Sequence, residues 1–367
     1  MRFVSDKNAI LKEVAVAQEI ISTRNALSIL SNVLLSVDKN TLTLKATDLK
    51  VGFETRIPVE VTQSGSTTVF CDKLLGILRS LPDGEVEFEQ QDGRLVIRPR
   101  AKKIDFQLKS IAADKFPEFK ETSGDKYFSF PQKDLNEMIA QTIFAVSDDE
   151  TRYFMNGVFF ENQGGSLALV GTDGRRLSFM SRQLETKIDS FDGVIVPTKV
   201  LQLIRKLSSG EGNLSLAISD KSIFVQFDSQ KIWSTLIEGQ FPNYRRVIPE
   251  RQTNQVVAKR EELLEALKRV SLLVEQKSRR VYLNLDGNGL TMKSEESEIG
   301  VAQEEISCNY SGPEVSIALN YLYLMEPLRV MDEEEVSLRF TEPTKAISVY
   351  PVPDKDYFHI IMPMQID

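Results

Sequence analysis

The chain repeats one structural unit three times, and this repetition constrains its fold more than any other feature of the sequence. Each unit has a short amphipathic helix, a turn, two alternating strands and then an aromatic residue or methionine before a proline. The copies end at Phe116-Pro117, Phe241-Pro242 and Met362-Pro363. The period of roughly 120 residues is a common domain size and is far longer than the repeats of solenoids or propellers. We therefore predict three similar domains, at 1–124, 125–252 and 253–367.

Helical and strand patterns within each unit predict an α+β fold, with two helices and several antiparallel strands per domain. The first helices place apolar residues at three- and four-residue steps, as at Leu135, Met138 and Ile139. The second helices are predicted at 72–79, 198–205 and 320–325. Residues 41–44, 166–169 and 281–285 alternate with period two, which is typical of half-buried antiparallel strands. The segments Thr47-Asp48-Leu49 and Thr172-Asp173-Gly174 correspond between the first two units.

Composition excludes several classes of protein. Hydrophobic residues make up 41% and charged residues 27% of the chain, the balance of a soluble globular protein. The sequence has no long apolar run and no signal peptide, so we expect a cytoplasmic location and no membrane partner. Cys71 and Cys308 lie far apart and match no metal-binding spacing, which predicts reduced thiols, no disulfide and no bound metal.

The sequence offers little support for an enzyme. The single histidine, His359, has no nucleophile motif beside it, and we interpret it as a half-exposed strand residue. The glycines at 210–212 and 287–289 lack the strand and helix context of a phosphate-binding loop. Asp148 and Asp149 could bind a cation, although acidic loop tips are more often solvated. We predict no catalytic residue and no cofactor.

Charge is distributed unevenly along the chain. The formal net charge of −8 argues against a broad basic surface that coats DNA, so any nucleic-acid contact must be local. Lys73 and Lys199 occupy one equivalent position of the second helices, and Arg79 and Arg205 occupy another. This pattern has two interpretations, a solvated helix face or a face that is turned toward DNA.

The first and third units carry opposite charge. A basic group near the end of the first unit contains Arg98, Arg100, Lys102 and Lys103. An acidic group in the third unit contains Glu295, Glu296, Glu298, Glu304 and Glu305. Such an arrangement favours head-to-tail association of subunits, which forms a ring when the rotation closes. The alternative is that domains one and three of the same chain pair with each other.

Four short motifs occur along the chain: Arg-Tyr-Phe-Met-Asn-Gly at 152–157, Thr-Asp-Gly-Arg-Arg-Leu at 172–177, Phe-Pro-Asn-Tyr-Arg-Arg-Val at 241–247 and Met-Pro-Met at 362–364. With the triplication, they make the whole chain resemble the bacterial DNA polymerase III beta subunit family. The resemblance implies a DNA-clamp fold, in which two three-domain chains form a head-to-tail ring with helices lining the hole and sheets outside. It also implies a homodimeric processivity factor for DNA replication and not an enzyme.

A closed ring would hold double-stranded DNA by topology, so its phosphate contacts could stay weak and independent of sequence. Many strong contacts would instead give a steep loss of affinity with salt. The alternative is a triplicated scaffold that binds peptides and never encircles DNA. The resemblance places Arg24, Lys73, Tyr153 and Lys199 near DNA, and the internal repeat extends this role to Arg79 and Arg205.

The resemblance also implies a subunit interface with an apolar centre and a charged rim. Phe106 and Leu108 of one chain would face Leu272 and Leu273 of the other. A rim contributes more to register than to affinity. Asp105 has the opposite charge to the one expected at its position. The rim residues are Lys103, Glu298 and Glu304.

Partners are expected to bind as short linear peptides in a groove between domains two and three. By resemblance they include the DNA polymerase III alpha subunit, the clamp loader, and other polymerases and repair proteins. Apolar residues near the C-terminus support docking independently, because methionines repack around different ligands. Arg175, Ala346 and Gln365 replace a histidine, a serine and an arginine of family members. The groove residues are Met155, Thr172, Gly174, Arg175, Arg176, Leu177, Pro242, Arg246, Val247, Ala346, Ile360, Met362, Pro363 and Met364.

Overall fold

A computed structural model describes residues 1–21, 29–122, 127–162, 164–184, 191–219, 221–287 and 289–365. The chain forms two compact units. The first comprises Met1–Phe130 and Gly212–Leu236, and the second comprises Pro131–Glu211 and Ile237–Asp367.

The predicted helix pairs are present. The described α-helices are α1 (Lys7–Ile20), α2 (Cys71–Ser80), α3 (Gln132–Thr142), α4 (Thr198–Leu207), α5 (Arg260–Val270) and α6 (Tyr321–Val330). In the first unit α1 packs on α2, and in the second unit α3 packs on α4 and α5 on α6. The sequence pattern predicted an end at 325 for the last helix, but α6 continues through Pro327 because Leu324, Met325 and Leu328 form its buried face. None of the described helices has both the length and the apolarity needed to cross a membrane.

The strands are numbered in chain order. The first unit contains β1 (Arg2–Asp6), β2 (Asn32–Asp38), β3 (Thr41–Thr47), β4 (Val51–Pro58), β5 (Glu60–Gln63), β6 (Gly65–Phe70), β7 (Glu85–Gln91), β8 (Arg94–Pro99), β9 (Phe106–Ile111) and β10 (Phe128–Pro131). The second contains β11 (Gly157–Asn162), β12 (Ser166–Thr172), β13 (Arg176–Gln183) and β14 (Val194–Pro197). The chain then adds to the first unit β15 (Asn213–Ile218), β16 (Ser222–Phe227) and β17 (Gln230–Thr235). The rest, in the second unit, are β18 (Asn254–Lys259), β19 (Arg280–Leu285), β20 (Leu290–Ser294), β21 (Gln303–Ile306), β22 (Cys308–Asn309), β23 (Val315–Asn320), β24 (Glu335–Phe340), β25 (Ile347–Val352) and β26 (Tyr357–Ile361).

The first unit is built on a thirteen-stranded sheet with the order β10-β15-β16-β17-β4-β3-β2-β6-β9-β8-β7-β1-β5. Antiparallel pairing of β17 with β4 sets Trp233 opposite Gly52. A glycine is needed at this position because a Cβ on residue 52 would lie 2.0 Å from the indole Nε1 of Trp233. Helix α1 packs on β3 and β4, and its residues Ile10, Val14 and Ala17 are fully buried.

The second unit contains two antiparallel sheets. One has nine strands in the order β14-β11-β12-β13-β26-β25-β24-β18-β22, and the other has four in the order β21-β20-β19-β23. Within the larger sheet β13 pairs with β26, so that Leu177 lies opposite Ile360. This pairing brings the segment 172–177 beside the last residues of the chain.

Two sequence-based expectations about single side chains have different outcomes. Cys71 and Cys308 are free thiols, as predicted. His359 was expected to be half-exposed, which is wrong, because its exposed fraction is only 1%. Although it lies close to the end of the chain, its strand β26 is an interior strand of the nine-stranded sheet, between β13 and β25.

Candidate functional site

A tight turn between β12 and β13 is the centre of the predicted groove. The Thr172 hydroxyl donates to the carbonyl oxygen of Arg176 (2.6 Å) and accepts from the amide of Gly174 (3.1 Å). The Asp173 carboxylate accepts from the amides of Arg175 (2.8 Å) and Arg176 (3.0 Å). Gly174 has a φ of 87°, in the left-handed region that glycine adopts without strain. These bonds fix the turn and leave the Arg175 side chain exposed.

The corresponding turn of the first unit has the same hydrogen bonds, which confirms this part of the repeat. The Thr47 hydroxyl donates to the carbonyl oxygen of Val51 (2.8 Å) and accepts from the amide of Leu49 (3.0 Å). Leu49 takes the place of Gly174 with a φ of 71°, and its side chain is 53% exposed. A side chain therefore stands in the first unit where Gly174 leaves the backbone uncovered.

Arg176 joins this turn to other parts of the second unit. Its guanidinium donates to the carboxylates of Asp173 (3.1 Å) and Glu326 and to the carbonyl oxygen of Phe144 (2.5 Å). It also lies 4.6 Å from the ring centroid of Tyr323. Only 11% of the side chain is exposed, and a buried cation requires such partners. Arg176 therefore supports the shape of the groove, whereas we had predicted it as a groove residue without this role.

The apolar part of the predicted groove borders a buried cluster. Leu177 and Ile360 belong to this cluster together with Phe241 and Tyr244, and Ala346 packs against it. Two large apolar side chains next to it remain accessible, Val247 at 50% and Met362 at 43% exposure. Exposed apolar side chains beside a concave surface are typical of binding sites. Of the other predicted groove residues, Met155 is buried, Pro242 is half-buried and Arg246 is exposed.

The C-terminal segment 362–364 is held by backbone hydrogen bonds. The Met362 amide donates to the carbonyl oxygen of Arg175 (2.9 Å), and the Met364 amide donates to that of Ala318 (2.8 Å). A cleft of about 640 Å³ lies beside this segment. Because four predicted groove residues line it, the cleft continues the groove; they are Arg175, Met362, Pro363 and Met364.

Sequence patterns did not indicate the other wall of this cleft. It is formed by residues 276–280 with Asn320, Tyr323 and Gln365. Segment 276–280 belongs to no motif and no helix. Tyr323, however, occupies on α6 the position of Lys73 and Lys199, so the internal repeat could have identified it. Burial and the nearby Asp173 carboxylate raise the pKa of the Tyr323 hydroxyl, which keeps it neutral.

The four basic residues predicted on the second helices are exposed. Lys73 and Arg79 lie on α2 in the first unit, and Lys199 and Arg205 lie on α4 in the second. The buried side chains of α2 are Cys71, Leu74, Leu75 and Leu78, so its basic residues occupy the opposite, solvated face.

Three further residues bear on the predicted DNA face. Tyr153, in a short 3-10 helix at Glu150–Met155, is 53% exposed. Arg24 lies outside the described residues. Arg329 on α6 is exposed at the position equivalent to Arg79 and Arg205, and it was missed because α6 was predicted to end before it.

The predicted interface residues lie at two sheet edges. In the first unit β9 pairs with β8 from Phe106 to Lys109, but with β6 only at Ser110 and Ile111. Within the described residues, the backbone of 106–109 therefore has a strand partner on one side only, and its other side is a free edge. In the second unit β21 is an outer strand of the four-stranded sheet.

Exposed apolar side chains lie near the edge formed by β21. Leu272 is 78% exposed, and Ile299 and Val301 are 71% and 44% exposed. A Cβ on Gly300 would lie 3.7 Å from the side chain of Leu273, so these residues adjoin. The family resemblance indicated Leu272 and Leu273 but not Ile299 and Val301, which lie within an acidic stretch of the sequence.

Part of the predicted charged rim is neutralised within each unit. Arg98 donates to Glu89 (2.9 Å) and to Asp105 (2.8 Å), which accounts for the unexpected charge of Asp105. Arg100 donates to Glu85 (2.7 Å), and Glu304 accepts from Arg269 (2.8 Å). The rim residues Lys103 and Glu298 are exposed.

Within the acidic pair at 148–149, Asp149 has a structural role. The Asp149 carboxylate accepts from the amide of Thr151 (2.9 Å) and from the guanidinium of Arg152 (2.9 Å), which caps the 3-10 helix that contains Tyr153. In the described part of the chain, no group of three or more His, Cys, Asp or Glu side chains could hold a metal ion.

Comparison with known proteins gives consistent matches over the whole chain. Family models of the DNA polymerase III beta subunit match residues 1–120 (N-terminal domain), 129–243 (central domain) and 245–365 (C-terminal domain). The Beta sliding clamp of Treponema pallidum is 48% identical over 371 residues and that of Pseudomonas aeruginosa 32%, each with all of both chains covered. The crystal structure of the Pseudomonas aeruginosa beta subunit superposes with a TM-score of 0.93 at 30% identity over both full chains. The three-domain α+β fold with antiparallel sheets is thereby confirmed.

Proposed function

The chain belongs to the DNA polymerase III beta subunit family and is a non-catalytic processivity clamp, and we propose that it acts as a cytoplasmic homodimeric ring that encircles and slides on duplex DNA. One observation carries the proposal: each chain has two different sheet edges suited to association. These are the free backbone edge at 106–109 and the acidic edge at β21 with its exposed Leu272. Because the edges differ, they associate head-to-tail, and two such contacts close a dimer. Domain boundaries at 124 and 252 are part of this proposal.

Weak contacts with DNA are what a sliding ring requires. The exposed cations Lys73, Arg79, Lys199 and Arg205 supply local positive charge in a chain of net charge −8. Arg329 is a further exposed cation at the equivalent position of α6. Strong contacts to many phosphates would hold the ring in place and make affinity steeply dependent on salt. Tyr153 adds an exposed aromatic ring to the proposed DNA face.

The groove of the second unit is proposed to bind short linear peptides of partner proteins. These partners are the DNA polymerase III alpha subunit, the clamp loader, and other polymerases and repair proteins. Clamps of Pseudomonas aeruginosa and Bartonella birtlesii have been solved bound to griselimycin, which supports a ligand site on this fold. The rigid turn at 172–176 and the accessible Val247 and Met362 supply a shaped apolar surface for such ligands.

Topological retention on DNA tests the ring. The labelled protein is loaded by its clamp loader onto a nicked circular plasmid, and the protein that elutes with DNA is measured by gel filtration. We expect retention on the circle and loss after one restriction cut, because a ring slides off a free end. An uncut plasmid treated with heat-inactivated enzyme is the control. Equal retention on cut and uncut DNA would contradict encirclement.

Removal of residues 362–367 tests the groove. The deletion takes away the accessible Met362 and the backbone bonds to Arg175 and Ala318, so we expect loss of binding to the polymerase alpha subunit. The sheet edges proposed for the interface remain, so the dimer should persist in analytical ultracentrifugation. Unchanged binding by a dimeric deletion variant would reject this groove.

A further inference from the structure

The cleft beside the C-terminal segment differs in charge from the chain as a whole. Among its twelve described lining residues, four are basic and none is acidic. The chain itself has an excess of acidic residues and a net charge of −8. The four basic residues are Arg175, Lys277, Arg279 and Arg280.

Three of these cations are available to a ligand. Arg280 is partly buried and lies 3.3 Å from the Glu295 carboxylate. The side chains of Arg175, Lys277 and Arg279 are exposed, and within the described residues they form no ion pair. The nearby carboxylates of Asp173 and Glu326 are engaged by Arg176 and do not neutralise them.

Backbone hydrogen bonds determine where these cations stand. The Arg279 amide donates to the carbonyl oxygen of Glu275 (2.8 Å), and the Arg279 carbonyl oxygen accepts from the amide of Tyr321 (3.0 Å). Arg279 is held at a φ of 53°, which is uncommon for a residue with a side chain. Arg175 lies across the cleft on the rigid turn, and its carbonyl oxygen binds the Met362 amide. The cations therefore border the segment that carries the groove methionines.

We propose that this cleft selects partner peptides that carry acidic residues next to their apolar anchor, with Arg175, Lys277 and Arg279 as the specificity-determining side chains. The apolar cluster around Leu177 and Ile360 takes the anchor, and the continuous cleft takes the adjoining carboxylates. This inference rests on the proposed function, because it assigns a preference to the same groove. Each solvent-exposed ion pair changes affinity by about two- to fivefold, so several are needed for clear discrimination.

Matched peptides test the preference on the full-length protein. Three fluorescein-labelled peptides share one apolar anchor of leucine and phenylalanine. The first peptide has three aspartates before the anchor, and the second has three aspartates after it. The third peptide has asparagines in place of the aspartates. Anisotropy titrations compare the unaltered protein with the double variant Lys277→Gln, Arg279→Gln in 50 mM and 500 mM NaCl. Lys231→Gln, which removes an exposed lysine from β17 in the first unit, is the charge-matched control.

We expect one aspartate peptide to bind at least about fivefold more tightly than the asparagine peptide in low salt. Higher salt should reduce this difference, because it screens exposed charges. The double variant should lose the difference yet keep its affinity for the asparagine peptide, and Lys231→Gln should behave like the unaltered protein.

Two results would overturn the inference and leave the groove standing: equal affinity for the aspartate and asparagine peptides, or a preference that the double variant retains in full. If no peptide binds the unaltered protein at all, the groove itself is rejected and the inference with it.

Discussion

His359 illustrates how the position of a strand controls the chemistry of one side chain. Its Nδ1 lies 2.9 Å from the Ser178 hydroxyl oxygen on the neighbouring strand β13. The rings of Phe144 and Tyr357 pack at centroid distances of 5.6 and 5.9 Å. Burial, with a smaller contribution from the positive charge of Arg176, lowers the pKa of His359 to about 3. The imidazole is therefore neutral at physiological pH and forms part of the core.

The histidine pKa gives a stability prediction. Between pH 6.5 and 3 the unfolded chain binds a proton at His359 and the folded chain does not, so stability is fully present above pH 6.5 and falls as the pH decreases. The expected slope is about 1.4 kcal/mol per pH unit in the free energy of unfolding. Urea unfolding at pH 7.5, 6.0 and 5.0 measures it, with His359→Asn as the comparison. This variant should lose most of the slope.

Nuclear magnetic resonance provides an independent measure of the same residue. The chain has one histidine, so its ring signals need no assignment by mutagenesis. We expect chemical shifts that stay constant between pH 8 and 5. A titration with a midpoint near 6.5 would show that the imidazole is exposed to solvent and would contradict the buried position.

Among the predicted site residues, the structure changes the interpretation of charged side chains most. Arg176 was predicted as a groove residue, Arg98 as part of the basic group of the first unit, and Asp105 as a residue of unexpected charge near the interface. Each forms ion pairs within its own unit. The sequence could not show the pairing of Arg176 with Glu326, because these two residues come together only on folding.

At the level of elements, two sheet edges are the proposed sites of association between chains. The segment 106–109 offers unpaired backbone groups, and such edges pair readily with another strand. The second edge adds exposed Leu272, Ile299 and Val301, which give an apolar centre to an otherwise acidic surface. Apolar burial supplies affinity at such interfaces, while charges at the rim set register.

Substitution of one exposed leucine tests this interface. Leu272→Asp places a charge in the proposed apolar centre, and we expect sedimentation velocity to show a shift from dimer to monomer at micromolar concentration. Leu49→Asp is the matched control, since Leu49 is also exposed and its left-handed backbone suits aspartate. A Leu272→Asp protein that remains dimeric would refute the proposed edge contact.

Periodicity predicted the elements better than it predicted their ends. The second helices occur where the amphipathic pattern placed them, because their buried faces repeat the same apolar spacing. The predicted end of the third copy at 325 was wrong, because Leu328 extends the buried face of α6 beyond it. The cleft wall at 276–280 was missed for another reason: it has no periodic pattern, and hydrogen bonds to distant segments define it.

At the scale of the whole molecule, the triplication predicted the fold, and the family resemblance predicted the candidate site. The repeat length identified three domains from the sequence, and the α+β class followed from the two periodicities. The groove could not be located by the repeat alone, because equivalent positions differ in chemistry between the units. The second wall of the groove and the basic character of the cleft could not be predicted, because only folding brings Lys277 and Arg279 beside Met364.

The leucine in the first turn has a consequence for stoichiometry. A chain made by triplication would be expected to carry repeated docking places, yet the first turn carries the exposed Leu49 where the second turn carries Gly174. The proposed dimer then has two docking places, one in the proposed groove of each second unit. When more than two partner proteins need the same ring, one of them must release its place before another can bind.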